Sequence, residues 1–175
     1  MSSVMNFYVN GACRRLGRSY TIGAAACVLE TLNDTCEIRS MKLSSNPIPT
    51  NHRAELMAII MALRWAEEET EKGYLGTPLN VQIRSDSKHA VEFMTKEIHE
   101  LNASADNIVN GDLIQEAADL MGRIQAEGSV EYIMIPRDEN ELASEICQNK
   151  LADIRQSLIS DPTPFINVIN TARFN

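Results

Sequence analysis

The sequence predicts an α/β fold in which a five-stranded mixed sheet is flanked by helices. Three apolar, partly alternating segments separated by tight turns occupy residues 4–43, a pattern typical of an antiparallel meander. From residue 51 onward the apolar positions change to helical spacing, and two further strand-like segments alternate with helical ones. Because such alternation is typical of parallel strands with helices on the sheet faces, we expect the later strands to run parallel to the first.

The meander is predicted from three segments, residues 4–10, 20–30 and 36–43. The second segment contains Gly23, and a glycine inside a strand indicates that another part of the chain approaches closely. Between the first two segments, Arg14, Arg15 and Arg18 are predicted to lie in a basic turn.

The helical half begins with a start signal at Thr50 and an apolar stripe, Leu56, Ile59, Ile60 and Leu63, at i, i+3, i+4 and i+7. Further helices are predicted over residues 87–98, 112–127 and from 139 onward, and further strands over residues 79–84 and 130–135. The last helix is expected to carry the apolar residues Leu142, Ile146 and Leu151. We assign residues 1–158 to one domain and residues 159–175 to a C-terminal tail.

Composition limits the classes of protein that the chain can belong to. Its 175 residues are 44% hydrophobic and 23% charged, and no apolar run reaches the roughly 20 residues of a membrane helix. The N-terminus does not resemble a secretory signal, so we expect an intracellular location (cytoplasm, nucleus or mitochondrion) and reduced cysteines. A net charge of −8 argues against binding by nonspecific phosphate contacts, although a local basic patch can act within an acidic chain.

Four polar positions fall at strand ends or on neighbouring helices, where functional residues of α/β sheets gather. They are Asn10, Glu55, Asp86 and, near the start of the last helix, Ser144. Each has an ordinary explanation, because Asn-Gly is typical of turns and acidic residues favour helix starts. Their significance depends on the segments that contain them.

Four segments together resemble the type 1 domain of the ribonuclease H family. "FYVNGAC" resembles the family's strand ending in Asp-Gly-Ser/Ala, and "TNHRAELMAIIMAL" resembles Thr-Asn-Asn-Arg-Ala-Glu-Leu followed by an apolar helix. "VQIRSDSKHAVEFM" resembles the fourth strand running into Asp-Ser-Lys/Gln-Tyr, and "YIMIPRDENELAS" resembles the last strand and Asn-x-x-Ala-Asp. Order and spacing agree over residues 7–153, and "VNGDLIQEA" and "IPRDENELA" are most similar to a fungal-type branch.

The resemblance implies a ribonuclease H-like fold and hydrolysis of the RNA strand of RNA/DNA hybrids by two Mg²⁺ (or Mn²⁺) ions held by four carboxylates. Glu55 and Asp86 match two of these catalytic, metal-binding carboxylates. Asn10 stands where the metal-bridging aspartate belongs, and Ser144 stands where the fourth carboxylate belongs. Because Mg²⁺ requires anionic oxygen ligands, we expect weak or absent metal binding and reduced or lost catalysis at a degenerate active site.

Two routes could restore a missing carboxylate. Glu141, with Asp138 and Glu145 nearby, could replace the missing carboxylate from the same helix. Deamidation of the Asn10-Gly11 dipeptide would create an aspartate, although a strand end restricts the backbone geometry that this reaction needs.

The resemblance also implies nucleic-acid contacts by Thr50, Asn51, His52, Arg14, Arg15 and Lys88. Residues 98–111 contain no aromatic residue, lysine or arginine, whereas family members often carry them there, so affinity for the hybrid is expected to be weak. His89 is expected at the surface, and Trp65 is expected to pack rather than to stack on a base. The alternatives to an impaired hydrolase are a non-catalytic nucleic-acid-binding or protein-interaction module and a decayed copy from a retroelement.

Overall fold

The computed structural model describes residues 3–17, 20–31, 35–72, 78–98 and 109–160. The strands are β1 (Ser3–Leu16), β2 (Tyr20–Glu30), β3 (Cys36–Lys42), β4 (Leu79–Ser85) and β5 (Ser129–Met134). The helices are α1 (Asn51–Glu71), α2 (Lys88–Glu92), α3 (Gly111–Gln125) and α4 (Glu141–Ser160). None of the helices in the described ranges is long and apolar enough to cross a membrane.

The five strands form one mixed sheet in the order β3-β2-β1-β4-β5. β1 pairs antiparallel with β2, and β2 pairs antiparallel with β3. β4 pairs parallel with both β1 and β5. The predicted fold, an antiparallel meander followed by parallel strands, is therefore confirmed, and it brings the ends of β1 and β4 side by side.

Both faces of the sheet are covered, as the alternation along β2 shows. Ala25, Cys27 and Leu29 belong to a large core that includes α1, α3 and the region of α2. On the other face, four β2 residues pack against three α4 residues in a smaller core, made of Tyr20, Ile22, Ala24, Ala26, Cys147, Leu151 and Ile154. Gly23 lies within this strand, and a Cβ there would be 2.8 Å from Pro49 Cβ, so the close approach expected from the sequence is confirmed.

The first strand is longer than predicted, and the prediction of a basic turn at Arg14 and Arg15 is wrong. β1 continues past Asn10 and stays paired with β2 as far as Leu16 opposite Tyr20. Arg14 and Arg15 therefore belong to a hydrogen-bonded strand. The extension is stabilised because Ala12 and Leu16 pack against the smaller core. Arg18 lies outside the described residues.

Smaller differences concern two of the helices. The predicted helix after β4 is a short α-helix capped by Ser87, and it continues as a π-helical segment, Phe93–Glu97. The last helix begins after a 3₁₀ turn, Arg137–Asn140. Of the apolar residues predicted on this helix, Leu151 is buried, whereas Leu142 is 44% exposed. Residues 99–108 and the tail from residue 161 lie outside the described residues.

Candidate active site

Gly11 allows α1 to lie directly against β1. A Cβ at this position would be 2.1 Å from the Ala54 carbonyl carbon and 2.3 Å from the Glu55 backbone nitrogen, so only a hydrogen fits. The contact is reinforced where Asn51 Oδ1 accepts a hydrogen bond of 2.9 Å from the Cys13 backbone N–H. Together these contacts bring Glu55 next to the Asn10-Gly11 segment. Asn10-Gly11 is thus a point of close packing inside a strand and does not form a turn.

Asp86 follows β4, and one of its carboxylate oxygens accepts hydrogen bonds from two side-chain amides. Asn10 Nδ2 donates to Asp86 Oδ1 at 3.4 Å, and Asn140 Nδ2 donates to the same oxygen at 2.6 Å. Asn140 Nδ2 also donates to the Val9 carbonyl oxygen at 2.9 Å, and its side chain is buried. The structure therefore brings Asn10 and Asp86 together, and Asn140 joins them from the 3₁₀ turn before α4.

Glu55 lies beside Asp86, and its environment disfavours the ionised form. Burial is the main cause of the raised pKa of Glu55, and the negative charge of Asp86 raises that pKa further. A hydrogen bond from the Ser87 hydroxyl and the charge of His89 lower the pKa of Glu55 and offset part of this effect. The charge of Asp86 thus acts on the Glu55 carboxyl group, whereas a joint metal-binding role for the two residues stays a prediction.

The site also contains a histidine pair. The rings of His52 and His89 lie with their centroids 4.4 Å apart, and the Phe93 ring meets His52 edge-on at 5.8 Å. His89 is exposed, as expected, but its charge acts on Glu55. Sequence reasoning did not assign His89 or Ser87 to the site. The available signal was their position directly after Asp86, on the first turn of α2.

Ser144 lies in a groove of about 590 Å³ on the surface of α4 and the preceding turn. Its other lining residues are Arg137, Asp138, Glu141, Glu145 and Gln148. The three carboxylates proposed as replacement ligands are therefore neighbours of Ser144, while the charges that act on Glu55 are those of Asp86 and His89. In the described part of the chain, no three His, Cys, Asp or Glu side chains form a group that could hold a metal ion.

Several predicted nucleic-acid contacts have partners within the protein. Thr50 Oγ1 caps α1 by accepting from the Arg53 backbone N–H at 3.1 Å. Arg14 Nη2 donates to Gln148 Oε1 at 3.1 Å, which links β1 to α4. Lys88, with 77% of its side chain exposed, lies 3.8 Å from Glu92 across one turn of helix. These contacts leave Lys88 accessible to a ligand and give Thr50, Asn51 and Arg14 structural roles.

Arg53, inside the "TNHRAEL" segment, was not singled out from the sequence but fixes the start of α1. Its guanidinium is buried and forms a two-point ion pair with Asp112 at the start of α3, with Nη1 2.8 Å from Oδ1. Arg53 Nη1 also donates to Asn110 Oδ1 at 3.3 Å. The guanidinium holds the pKa of Asp112 below its usual value. The helix that carries Glu55 is thereby tied to α3.

Comparison with known proteins shows to which family this chain is related. A family model described as RNase H matches residues 2–153. The chain belongs to the RNase H family. A search of curated proteins gave no match.

Solved structures of RNase H proteins share the fold. LC9-RNase H1, described as a type 1 RNase H with the type 2 active-site motif, is 24% identical, with a TM-score of 0.62 over 85% of this chain and 72% of its own. LC11-RNase H1, isolated from compost by a metagenomic approach, is 21% identical, with a TM-score of 0.60 over 84% of this chain and 94% of its own. The RNase H domain of prototype foamy virus is 14% identical, with a TM-score of 0.58 over 82% of this chain and 90% of its own.

The donor set of this RNase H-family chain does not fit a pair of magnesium ions. Mg²⁺ requires near-octahedral coordination by oxygen, and anionic oxygen binds it most strongly. The site offers two carboxylates, Glu55 and Asp86, and one oxygen of Asp86 faces the N–H groups of two amides. An N–H group directed at that oxygen competes with a cation for the same lone pairs.

Proposed function

We propose that this protein is an RNase H-family member in which hydrolysis of the RNA strand of RNA/DNA hybrids is strongly reduced or lost. The observation that carries the proposal is the pair of amide groups, from Asn10 and Asn140, that donate to Asp86 Oδ1 at 3.4 and 2.6 Å. In this arrangement protein N–H groups stabilise the charge of Asp86, which a divalent cation would otherwise do.

The electrostatics of the site support the same conclusion. Four clustered carboxylates repel one another and need cations to be stable, whereas an amide next to a carboxylate forms a hydrogen bond. With Asn10 and Ser144 in place of aspartates, the formal charge contributed by the four matched positions is about −2 in place of about −4, too little for a tight two-metal site. Any Mg²⁺ or Mn²⁺ bound at Glu55 and Asp86 is expected to be weakly held.

We propose an RNA/DNA hybrid as the nucleic-acid partner. An RNase H protein of the same fold, LC11-RNase H1, has been solved in complex with an RNA/DNA hybrid. Binding by this chain is expected to be weak, because Asn51 and Arg14 already bond within the protein. Lys88 is accessible for a phosphate contact beside the site.

The test is a cleavage assay on a labelled RNA/DNA hybrid with Mg²⁺ and with Mn²⁺. The native chain is compared with Asn10→Asp, Ser144→Asp and the double variant. Asp86→Asn, which removes one of the two remaining carboxylates, gives the background level of cleavage. We expect no native cleavage above the Asp86→Asn background and activity only in the double variant, at least about 100-fold above native. Robust native cleavage that Asp86→Asn abolishes would refute the proposal.

Two further measurements make the assay decisive. Peptide mass spectrometry at position 10 determines whether the tested material contains asparagine or its deamidation product. Fluorescence anisotropy with the labelled hybrid measures binding separately from cleavage. Binding without cleavage supports a non-catalytic nucleic-acid-binding module, and absence of both leaves the protein-interaction alternative.

A further inference from the structure

We propose that a cleft beside the candidate active site binds the guanidinium group of an arginine side chain from a partner protein. The cleft lies between the strands of the meander and the start of α4, and its volume is about 340 Å³. It is defined here by Tyr8, Glu30, Cys36, Glu139, Asn140 and Leu142, and it is called the Asn140 cleft. Its size is at the lower end of the range for ligand pockets, about 300–1,000 Å³.

The wall of the Asn140 cleft contains a buried hydrogen-bond acceptor without a partner. Asn140 is 1% exposed, and its Nδ2 group is used by the Val9 carbonyl and by Asp86. These two bonds fix the orientation of the amide, so its Oδ1 atom is the acceptor, and this atom has no hydrogen-bond partner. A buried acceptor is costly when left unpaired, and an N–H group that entered the cleft beside Asn140 would satisfy it after a small shift of the side chains that cover the atom.

The charge of the cleft selects a cation. Glu30 and Glu139 are both exposed carboxylates on its lining. One oxygen of Glu30 accepts from Asn6 Nδ2 at 2.9 Å, and within the described residues this neutral contact leaves the carboxylate charge without an ion-pair partner. The neighbouring groove around Ser144 adds Asp138, Glu141 and Glu145, against a single Arg137. This concentration of negative charge repels the phosphates of a nucleic acid and attracts a basic side chain.

The remaining lining favours guanidinium over ammonium. A guanidinium is planar, carries five donors in a fixed arrangement, and stacks on aromatic rings, whereas an ammonium is a compact and strongly hydrated charge. Tyr8 supplies an aromatic ring on which a guanidinium can stack, although the Arg84 guanidinium on the adjacent strand, 5.5 Å from the centroid of that ring, offsets part of the negative charge. Leu142 is 44% exposed and offers apolar surface to the methylene stem of an incoming arginine.

The first experiment uses the 175-residue chain, labelled with ¹⁵N, and three blocked tripeptides that differ only in a central arginine, lysine or citrulline. We expect the arginine peptide to shift the Asn140 side-chain amide signal and the backbone signals of Cys36 and Leu142. Its affinity should exceed that of the lysine peptide at least threefold, and citrulline should not bind. Equal binding of the citrulline peptide, or no arginine-dependent shift at millimolar concentration, would overturn the proposal.

Matched variants separate the cleft from the general acidity of the protein. Glu30→Gln and Glu139→Gln are each expected to weaken arginine-peptide binding roughly threefold, as partly exposed charge pairs do. Glu145→Gln removes the same charge from the neighbouring groove, outside the cleft itself, and should weaken binding less than either cleft variant does. An equal loss in Glu145→Gln would assign the binding to nonspecific attraction. A short RNA that produces the same shifts would assign the cleft to nucleic acid. None of these readouts depends on the cleavage assay.

Discussion

At the scale of single residues, the Asn10-Gly11 dipeptide has two separate physical roles. Gly11 removes a side chain where the α1 backbone passes over β1, and so determines where Glu55 lies. Asn10 directs an N–H group at Asp86 from the opposite side of the strand, because successive side chains alternate. The first role concerns packing and the second concerns charge, so substitutions at the two positions should affect different measurements.

We expect Gly11→Ala to destabilise the fold by about 3 kcal/mol, at the upper end for overpacking, because the clash is with backbone atoms that cannot rotate away. Urea unfolding followed by circular dichroism measures the change. Gly122→Ala is the control, because a Cβ there meets nothing within 4 Å and the residue is inside α3. It should stabilise the protein by up to about 1 kcal/mol. Equal stabilities for the two variants would contradict the close-packing role of Gly11.

Glu55 should make stability depend on pH in a defined direction. Because its pKa is raised in the folded protein, its contribution is fully present below its unfolded pKa and is lost as pH rises through the folded pKa. As pH rises through the folded pKa of Glu55, we expect the free energy of unfolding of Glu55→Gln to increase relative to that of the native chain. Urea unfolding at a series of pH values tests this.

The Ser87 hydroxyl offers an independent check on the same carboxyl group. Its hydrogen bond lowers the pKa of Glu55, so Ser87→Ala should raise that pKa further. The ¹³C chemical shift of the Glu55 carboxyl group, titrated by NMR in both proteins, measures the change. Parallel stability profiles for native and Glu55→Gln proteins would contradict the raised pKa of Glu55, and a lower pKa in Ser87→Ala would contradict the stabilising hydrogen bond from Ser87.

At the scale of secondary-structure elements, the first turn of α1 is held by three kinds of contact. Thr50 caps the helix, Asn51 bonds to the β1 backbone, and Arg53 pairs with Asp112 on α3. Three of the four residues that precede Ala54 thus position the helix that carries Glu55. A sequence segment read as a nucleic-acid contact is therefore also a docking motif within the fold.

We expect Asp112→Ala to destabilise the protein by about 1–3 kcal/mol, because the buried Arg53 guanidinium would lose its ion-pair partner. The loss should stay within this range because Asp112 is exposed, so water can reach the guanidinium from that side. Glu116→Ala is the matched control. Glu116 pairs with Arg64 across the same two helices, but both side chains are about one-third to one-half exposed, so its loss should cost less than 1 kcal/mol. Equal losses would contradict the importance of burial at Arg53.

The same pair sets a pH dependence opposite to that of Glu55. Arg53 lowers the pKa of Asp112 in the folded state. Its stabilisation is therefore present above the unfolded pKa of Asp112 and is lost as pH falls through the folded pKa. In Asp112→Asn, the free energy of unfolding should therefore fall less steeply than in the native chain as pH drops through the folded pKa of Asp112. An acid-unfolding curve of the same shape as the native one would count against the pair.

At the scale of the whole molecule, a net charge of −8 limits nucleic-acid binding to local cations. If Arg14, Arg15 and Lys88 are the phosphate contacts, the slope of log K against log salt for a bound hybrid should be no steeper than about −3. Lys88→Ala should reduce that slope by about 1. Lys72→Ala, a whole helix length away at the end of α1, should leave it unchanged. Fluorescence anisotropy at several salt concentrations measures all three proteins.

Features of the fold that depend on neighbouring residues could be predicted from the sequence, whereas contacts between residues far apart in the chain could not. The order of strands and helices followed from apolar spacing. Asn10 is hydrogen-bonded to Asp86 and the charge of Asp86 acts on Glu55, while the metal-binding roles implied by their segments stay predictions. The length of β1 did not follow, because pairing with β2 carries the basic residues Arg14 and Arg15 into the sheet. The Asn140 bond to Asp86 was also missed, since the two residues are 54 positions apart and only the folded chain brings them together.

Trp65 makes one half of this fold visible to spectroscopy. It is the only tryptophan, is 1% exposed, and lies in α1 against Phe7 of β1, with the guanidinium carbon of Arg39 on β3 3.9 Å from its ring centroid. Its emission therefore reports whether α1 is docked on the strands. The smaller core beneath α4 contains no tryptophan. Partial detachment of α4, which would open the Asn140 cleft, should be silent in fluorescence while amide hydrogen exchange records it.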